Sequence, residues 1–352
     1  MPTSPGHDPG HEPELDPGSS ADPGFSWADH VAWLVEKHGS LAAVAERLSA
    51  LRGYADDVAT IERALRRLRS RGQLDGGTWG ARVLAAFGLP GAVDARARWM
   101  GAYHSRFNDL PLPVCRDLVR LWDRPPISDA PTSRIWLALA HSTCALRANE
   151  SDAAQTHLRR AHASFAKAPP EARIELLLVE AYIASRADVA AVPALLARIE
   201  PFLAEDMPAH DKACLHARWI DQRAYEKNRT APGKTADHAG AEALYRTIKE
   251  ENAPAFALCR RANGLAYARW KQGFADEAAG FARIAADHAG DGGHLRLRAM
   301  ALNMLARIVG GHEGAEARRR AAAIAASLDD EALRMRFERG WAREKRVEAT
   351  KT

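Results

Sequence analysis

From Trp27 onward, apolar residues return every three to four positions, the spacing of an α-helix with one buried face. Trp27, Val31, Leu34 and Val35 share a face, His38-Gly39 ends that helix, and Ser40 is placed to cap the next. Leu41, Val44, Ala45 and Leu48 mark a second helix, broken at Gly53. A third opens at Asp56-Asp57, carries Val58, Ile61, Leu65 and Leu68 on one face, and runs to residue 71 with Gly72 just beyond. Shorter helices are predicted at about 78–87, 91–107 and 114–123, the last cut off by Pro125-Pro126. No stretch alternates with period two in Val, Ile and Thr, so the predicted fold is all-α.

Residues 128–345 divide into helix pairs. The predicted pairs are 130–148 with 151–167, 171–186 with 188–204, 209–227 with 238–252, 254–272 with 274–288, and 294–309 with 313–327, closed by a helix at 329–345. Their first helices start about 40 residues apart, inside the period of helical-repeat arrays. Pro193 and Pro201 fit the start and end of the 188–204 helix. Ala140, Thr143, Ala154 and Ala161 recur 124 residues later as Gly264, Tyr267, Ala278 and Ala285, small residues where paired helices cross closely.

Segment 262–285 resembles a tetratricopeptide repeat: Gly264 with Tyr267 matches the first-helix signature, and Gly273 and Ala278 fit its turn and second helix. The Trp and closing Pro of the family are missing. The resemblance implies an α-solenoid over residues 126–345 whose concave face, lined by first helices, takes a protein or peptide partner. Arg218, Arg223, Asn263 and Arg269 are the candidate groove residues.

Residues 40–72 are similar to a helix-turn-helix. Leu41–Leu48 fits its first helix, with Ala45 at the small position, and Ile61–Gly72 looks like the end of a recognition helix in winged-helix bacterial regulators. At 100° per residue, Arg63, Arg66, Arg67 and Ser70 fall opposite the apolar face, flanked by Arg69 and Arg71. Those five arginines are the candidate contacts to duplex DNA, through phosphates and guanine edges.

Composition changes this picture in three places. The chain holds 72 Ala and 40 Arg against only 9 Lys, so arginine number carries little and arginine placement carries the argument. Residues 1–26 carry −5, with no Lys or Arg and with Asp-Pro-Gly at 8–10, 16–18 and 22–24; they are predicted to be disordered, as is the end at 346–352. Residues 27–125, read as one helical domain, carry +4, and residues 126–352 carry +5. Four scattered Cys, no basic opening followed by an apolar run, and no uncharged apolar stretch of 18 residues point to a cytoplasmic, non-membrane protein.

Catalytic motifs are weak. Gly233-Lys234-Thr235 resembles the end of a phosphate-binding loop but lacks the first glycine, where Asn228 stands, and any preceding strand. His312-Glu313 has no second histidine at metalloprotease spacing, and His7 and His11 sit in a low-complexity leader. Cys115, Cys144, Cys214 and Cys259 form no Cys-x-x-Cys pair and are expected to be small core residues. The expectation is a non-enzyme without cofactor or metal. It is either a DNA-binding regulator that senses a partner through its repeats, or an adaptor whose N-terminal helices cap the array.

Overall fold

A computed structural model describes residues 24–51, 56–187, 189–229 and 235–349, with side chains as far as residue 342. Gly53, Lys234, His7, His11 and the Asp-Pro-Gly repeats of the leader at 8–10 and 16–18 lie outside them. Every regular element among the described residues is helical, and none of the helices is long and apolar enough to cross a membrane.

The first four helices are α1 (Trp27–His38), α2 (Leu41–Ser49), α3 (Val58–Arg69) and α4 (Gly77–Phe87). Short polar side chains start the first three. Ser26 forms a reciprocal cap with Asp29, Ser40 Oγ accepts from the Ala43 N–H at 3.1 Å, and Asp57 Oδ1 accepts from Thr60 at 2.8 Å. Trp27, Leu34, Val44, Leu48, Ile61, Leu65, Leu68 and Val83 are the main members of their shared core. Trp27 is wholly buried, and its Nε1 donates to the Leu74 carbonyl at 3.0 Å, tying α1 to the turn after α3. Its ring lies against Gly76 and Gly80, where an added Cβ would stand 2.3 and 2.7 Å from Cζ2.

Two boundaries differ from expectation at this end. Residues 24–26 belong to the fold: Ser26 caps α1, the Gly24 carbonyl accepts from Gln73, and Phe25 packs on buried residues. The predicted third helix ends at Arg69, because Ser70 turns its N–H and hydroxyl back to the Arg67 carbonyl and Gly72 takes φ +61°.

The remaining helices stack. α5 (Gly91–Gly101) and α6 (Leu112–Trp122) precede five pairs. These are α7 (Pro131–Arg147) with α8 (Ser151–His162), α9 (Pro170–Ala187) with α10 (Val192–Ala197) and α11 (Glu200–Ala204), and α12 (Ala209–Lys227) with α13 (His238–Arg246). Then come α14 (Ala255–Lys271) with α15 (Ala275–Asp291), α16 (Leu295–Val309) with α17 (Gly311–Ser327), and the last helix, α18 (Glu331–Ala349). First helices pack on first helices in the order α7, α9, α12, α14, α16, and second helices α8, α13 and α15 pack on the next first helix. Turns after α7, α15 and α17 use a left-handed residue, Asn149, Gly293 and Asp329, to reverse the chain.

The internal alignment marks tight crossings. Ala140, Ala154, Ala161, Ala278 and Ala285 are fully buried, and a Cβ on Gly264 would meet the Tyr245 ring at 2.1 Å. Pro201, expected to end a helix, instead opens α11, because a residue without an N–H is accepted in a first turn and not beyond it. The predicted 238–252 helix stops at Arg246, and α18 continues to Ala349 into the stretch expected to be disordered. Val93, Ala97, Met100, Cys115 and Val119 share one apolar cluster with α7, α9 and α12.

Candidate functional site

The arginine stripe of α3 stands in solvent. Ile61, Ala64, Leu65 and Leu68 are buried to within 2%, whereas Arg63, Arg66, Arg67, Arg69 and Arg71 are all exposed. Their neighbours are few and local. Arg63 bonds back to the Ala59 carbonyl at 3.3 Å and to Thr60 Oγ1 at 3.1 Å, and Arg66 pairs with Glu62 one turn earlier. Thr60, Arg63, Arg66 and Arg67 line one shallow open depression. Arg71 lies past the helix end, so the stripe consists of four helical arginines and one on the following turn. α3 packs on α1, α2 and α4, which hold it from behind by its apolar face.

The four groove candidates do not converge; among the described residues no hydrogen bond or ion pair links any two of them. Arg218, expected in the groove, is 5% exposed and bonded to the wholly buried Glu175 of α9 at 2.5 Å, so it presents nothing to a partner. Arg223 is exposed, stacked 4.4 Å over the Trp219 ring at the edge of a shallow groove with Pro193, Leu196 and Glu200. Asn263 is half-buried, with its Oδ1 unpartnered. Arg269 is held at the α14–α15 turn between Glu242 and Glu277 and lies 3.9 Å over the Phe274 ring.

The reason lies past Gly101, where the helix predicted over 91–107 stops early because Ala102 turns extended. Residues 102–112, between α5 and α6, run along the first helices of the repeats. Tyr103 receives a hydrogen bond from Arg296 of α16, and the guanidiniums of Arg218 and Arg260 lie 4.4 and 5.5 Å from its ring. Burial raises the Tyr103 phenol, but the three arginines outweigh it and the net shift is downward. His104 bonds to Asp211 of α12 at 2.7 Å, and Asp109 Oδ1 accepts from the Arg296 N–H at 2.8 Å. At the far end Arg147, 1% exposed, donates to the carbonyls of Leu110 and Leu328. α7 also touches α18, so the array curls until its last helix reaches its first pair. The first helices expected to line an open groove thus make contacts with residues 102–112 of the chain itself.

Arg147, Arg260 and Arg296 are not singled out by the sequence, because in a chain with 40 Arg the number of arginines carries little. Their signal was register. Each falls among small or apolar residues three and four positions away, for example Thr143 and Cys144 beside Arg147. All four cysteines are buried, as expected of small core residues, and burial pushes the Cys259 thiol up to about 12. One group of side chains among the described residues could hold a metal ion, His104, His210 and Cys214, beside the inward segment. Compared with models of known families, with curated proteins and with solved structures, the chain matches none.

Proposed function

We propose that this protein is a DNA-binding regulator built on tetratricopeptide-like repeats, with α3 as the helix that meets duplex DNA. The observation carrying this reading is the polarity of α3: one face buried to within 2%, four arginines exposed on the rest of the helix, and Arg71 exposed on the turn that follows. A helix anchored that way can lay guanidiniums against phosphates flanking a major groove about 12 Å wide. The α2–α3 pairing supports the helix-turn-helix resemblance. A partner would meet the repeats from outside, at the Arg223–Trp219 edge, since the first helices make contacts with residues 102–112.

The test is the salt dependence of binding to duplex DNA. Three phosphate contacts give a log–log slope of about −3. Replacing Arg63, Arg66 and Arg67 together by Ala should remove most of that slope with the far-UV helical signal intact, since exposed positions tolerate substitution. Binding with an unchanged slope in the triple variant moves the contact elsewhere. No binding by the parent chain at about 50 mM salt, where phosphate contacts are strong, leaves the adaptor reading in its place.

A further inference from the structure

The inward segment brings His104 onto α12, where two metal-capable side chains stand one turn apart. His210 and Cys214 occupy positions i and i+4, hence one helix face, with His210 Nε2 and Cys214 Sγ 3.8 Å apart. One donor atom from each of His104, His210 and Cys214 lies within 4.8 Å of the others. A tetrahedral site with bonds of 2.0–2.3 Å sets its donors roughly 3.5 Å apart, so the α12 pair is near ligating distance and no gap has to close by more than about 1.3 Å.

The two nitrogens of His104 supply an independent observation. His104 is 7% exposed, and its Nε2 is held at 2.7 Å by Asp211 Oδ1. Arg98 pairs with the other carboxylate oxygen of Asp211, keeping that group an acceptor. With Nε2 donating to that carboxylate, the neutral imidazole has its lone pair at Nδ1. That Nδ1 is buried and has no hydrogen-bond partner. An unsatisfied acceptor is costly in such a place, and a histidine pinned by a carboxylate through its other nitrogen is the arrangement that orients metal ligands.

We propose that His104, His210 and Cys214 bind a single transition-metal ion of the zinc class, with Asp211 as the positioning residue for His104. Two imidazoles and a thiolate favour such an ion over magnesium or calcium, which seek oxygen. Binding releases the Cys214 proton to buffer. Three protein ligands leave the fourth tetrahedral position to water, and exposed His210 opens the site to solvent. The ion would clip residues 102–112 to α12, joining positions 106 apart in sequence across the inner face of the repeats.

The test uses the full-length chain, stripped with a chelator and titrated with Co²⁺, then Zn²⁺. One equivalent of Co²⁺ should give tetrahedral d–d bands and a near-ultraviolet thiolate charge-transfer band, and Zn²⁺ should displace both. Cys214→Ala should abolish the charge-transfer band and weaken binding at least ~100-fold, and Asp211→Asn should weaken it about 10- to 100-fold. His210→Ala should weaken binding as much as Cys214→Ala does; because His210 is exposed, that variant keeps the test open should Cys214→Ala fail to fold. Histidines of the leader can add weak binding without a thiolate band, and this background survives in both ligand variants. Absence of the band in the parent chain, or unchanged Co²⁺ and Zn²⁺ affinity in His210→Ala, overturns the site.

Discussion

Arg147 makes the most demanding prediction, because it holds together three stretches far apart in the chain. Its Nη2 donates to the Leu110 carbonyl at 2.9 Å and the Leu328 carbonyl at 2.8 Å, and its Nε lies 3.3 Å from the wholly buried Asp330. Arg147→Met keeps the length and removes the charge. Each charge-assisted hydrogen bond lost is worth about 1.5–3 kcal/mol. The Leu328 carbonyl keeps the Leu112 N–H at 3.0 Å, and Asp330 keeps Arg296 at 2.7 Å and the Leu333 N–H at 2.9 Å. The Leu110 carbonyl retains only a long contact from the Cys115 thiol. Most of the cost therefore falls at Leu110, and the expected loss is about 3 kcal/mol, the low end for breaking a buried pair. Urea unfolding followed by far-UV dichroism measures it, and hydrogen exchange should quicken at residues 328–333. Arg296→Met combined with Arg147→Met leaves Asp330 without a cation, so the double variant should lose more than the two singles together. A loss below about 1 kcal/mol in the single variant, or strict additivity in the double, would refute the claim that Arg147 closes the array.

Two further predictions concern the N-terminal unit. Ser26→Ala should cost about 1 kcal/mol by removing the α1 cap, and deletion through residue 26 should lower the urea midpoint; an unchanged midpoint in the deletion would show that residues 24–26 hold nothing. His30 is wholly buried, with Nε2 2.8 Å from the Gly88 carbonyl, and burial lowers its basicity despite that bond. The unfolded chain therefore binds the proton first, so stability is full above about pH 6.5 and falls as pH drops below it. His30→Gln should flatten the thermal midpoint between pH 7.5 and 5, and an equal slope in parent and variant would assign it to another group.

Local information decided the helices. The Trp27–Val35 and Val58–Leu68 stripes, the caps at Ser26 and Asp57, and the small residues at 140, 154, 264 and 278 are written in nearest-neighbour spacing, and α1, α3 and the α7–α8 and α14–α15 pairs follow from them. The exposure of Arg63, Arg66 and Arg67 belongs to the same class, since a helix with one buried stripe must turn its opposite face outward. Tertiary structure alone decided what meets the first helices of the array. The sequence pattern carries a helix through residue 107, so nothing local announces that the chain leaves it at Ala102, that Tyr103 will sit among Arg218, Arg260 and Arg296, or that His104 will reach α12. The same holds for the burial of Arg218 and Arg147. A guanidinium at a core register is tolerable only when a carboxylate or carbonyl arrives from elsewhere, and Glu175, Asp330, Leu110 and Leu328 arrive from 37 to 183 positions away. Spacing along the chain records which face of a helix is apolar; which distant segment comes to cover that face is settled by packing.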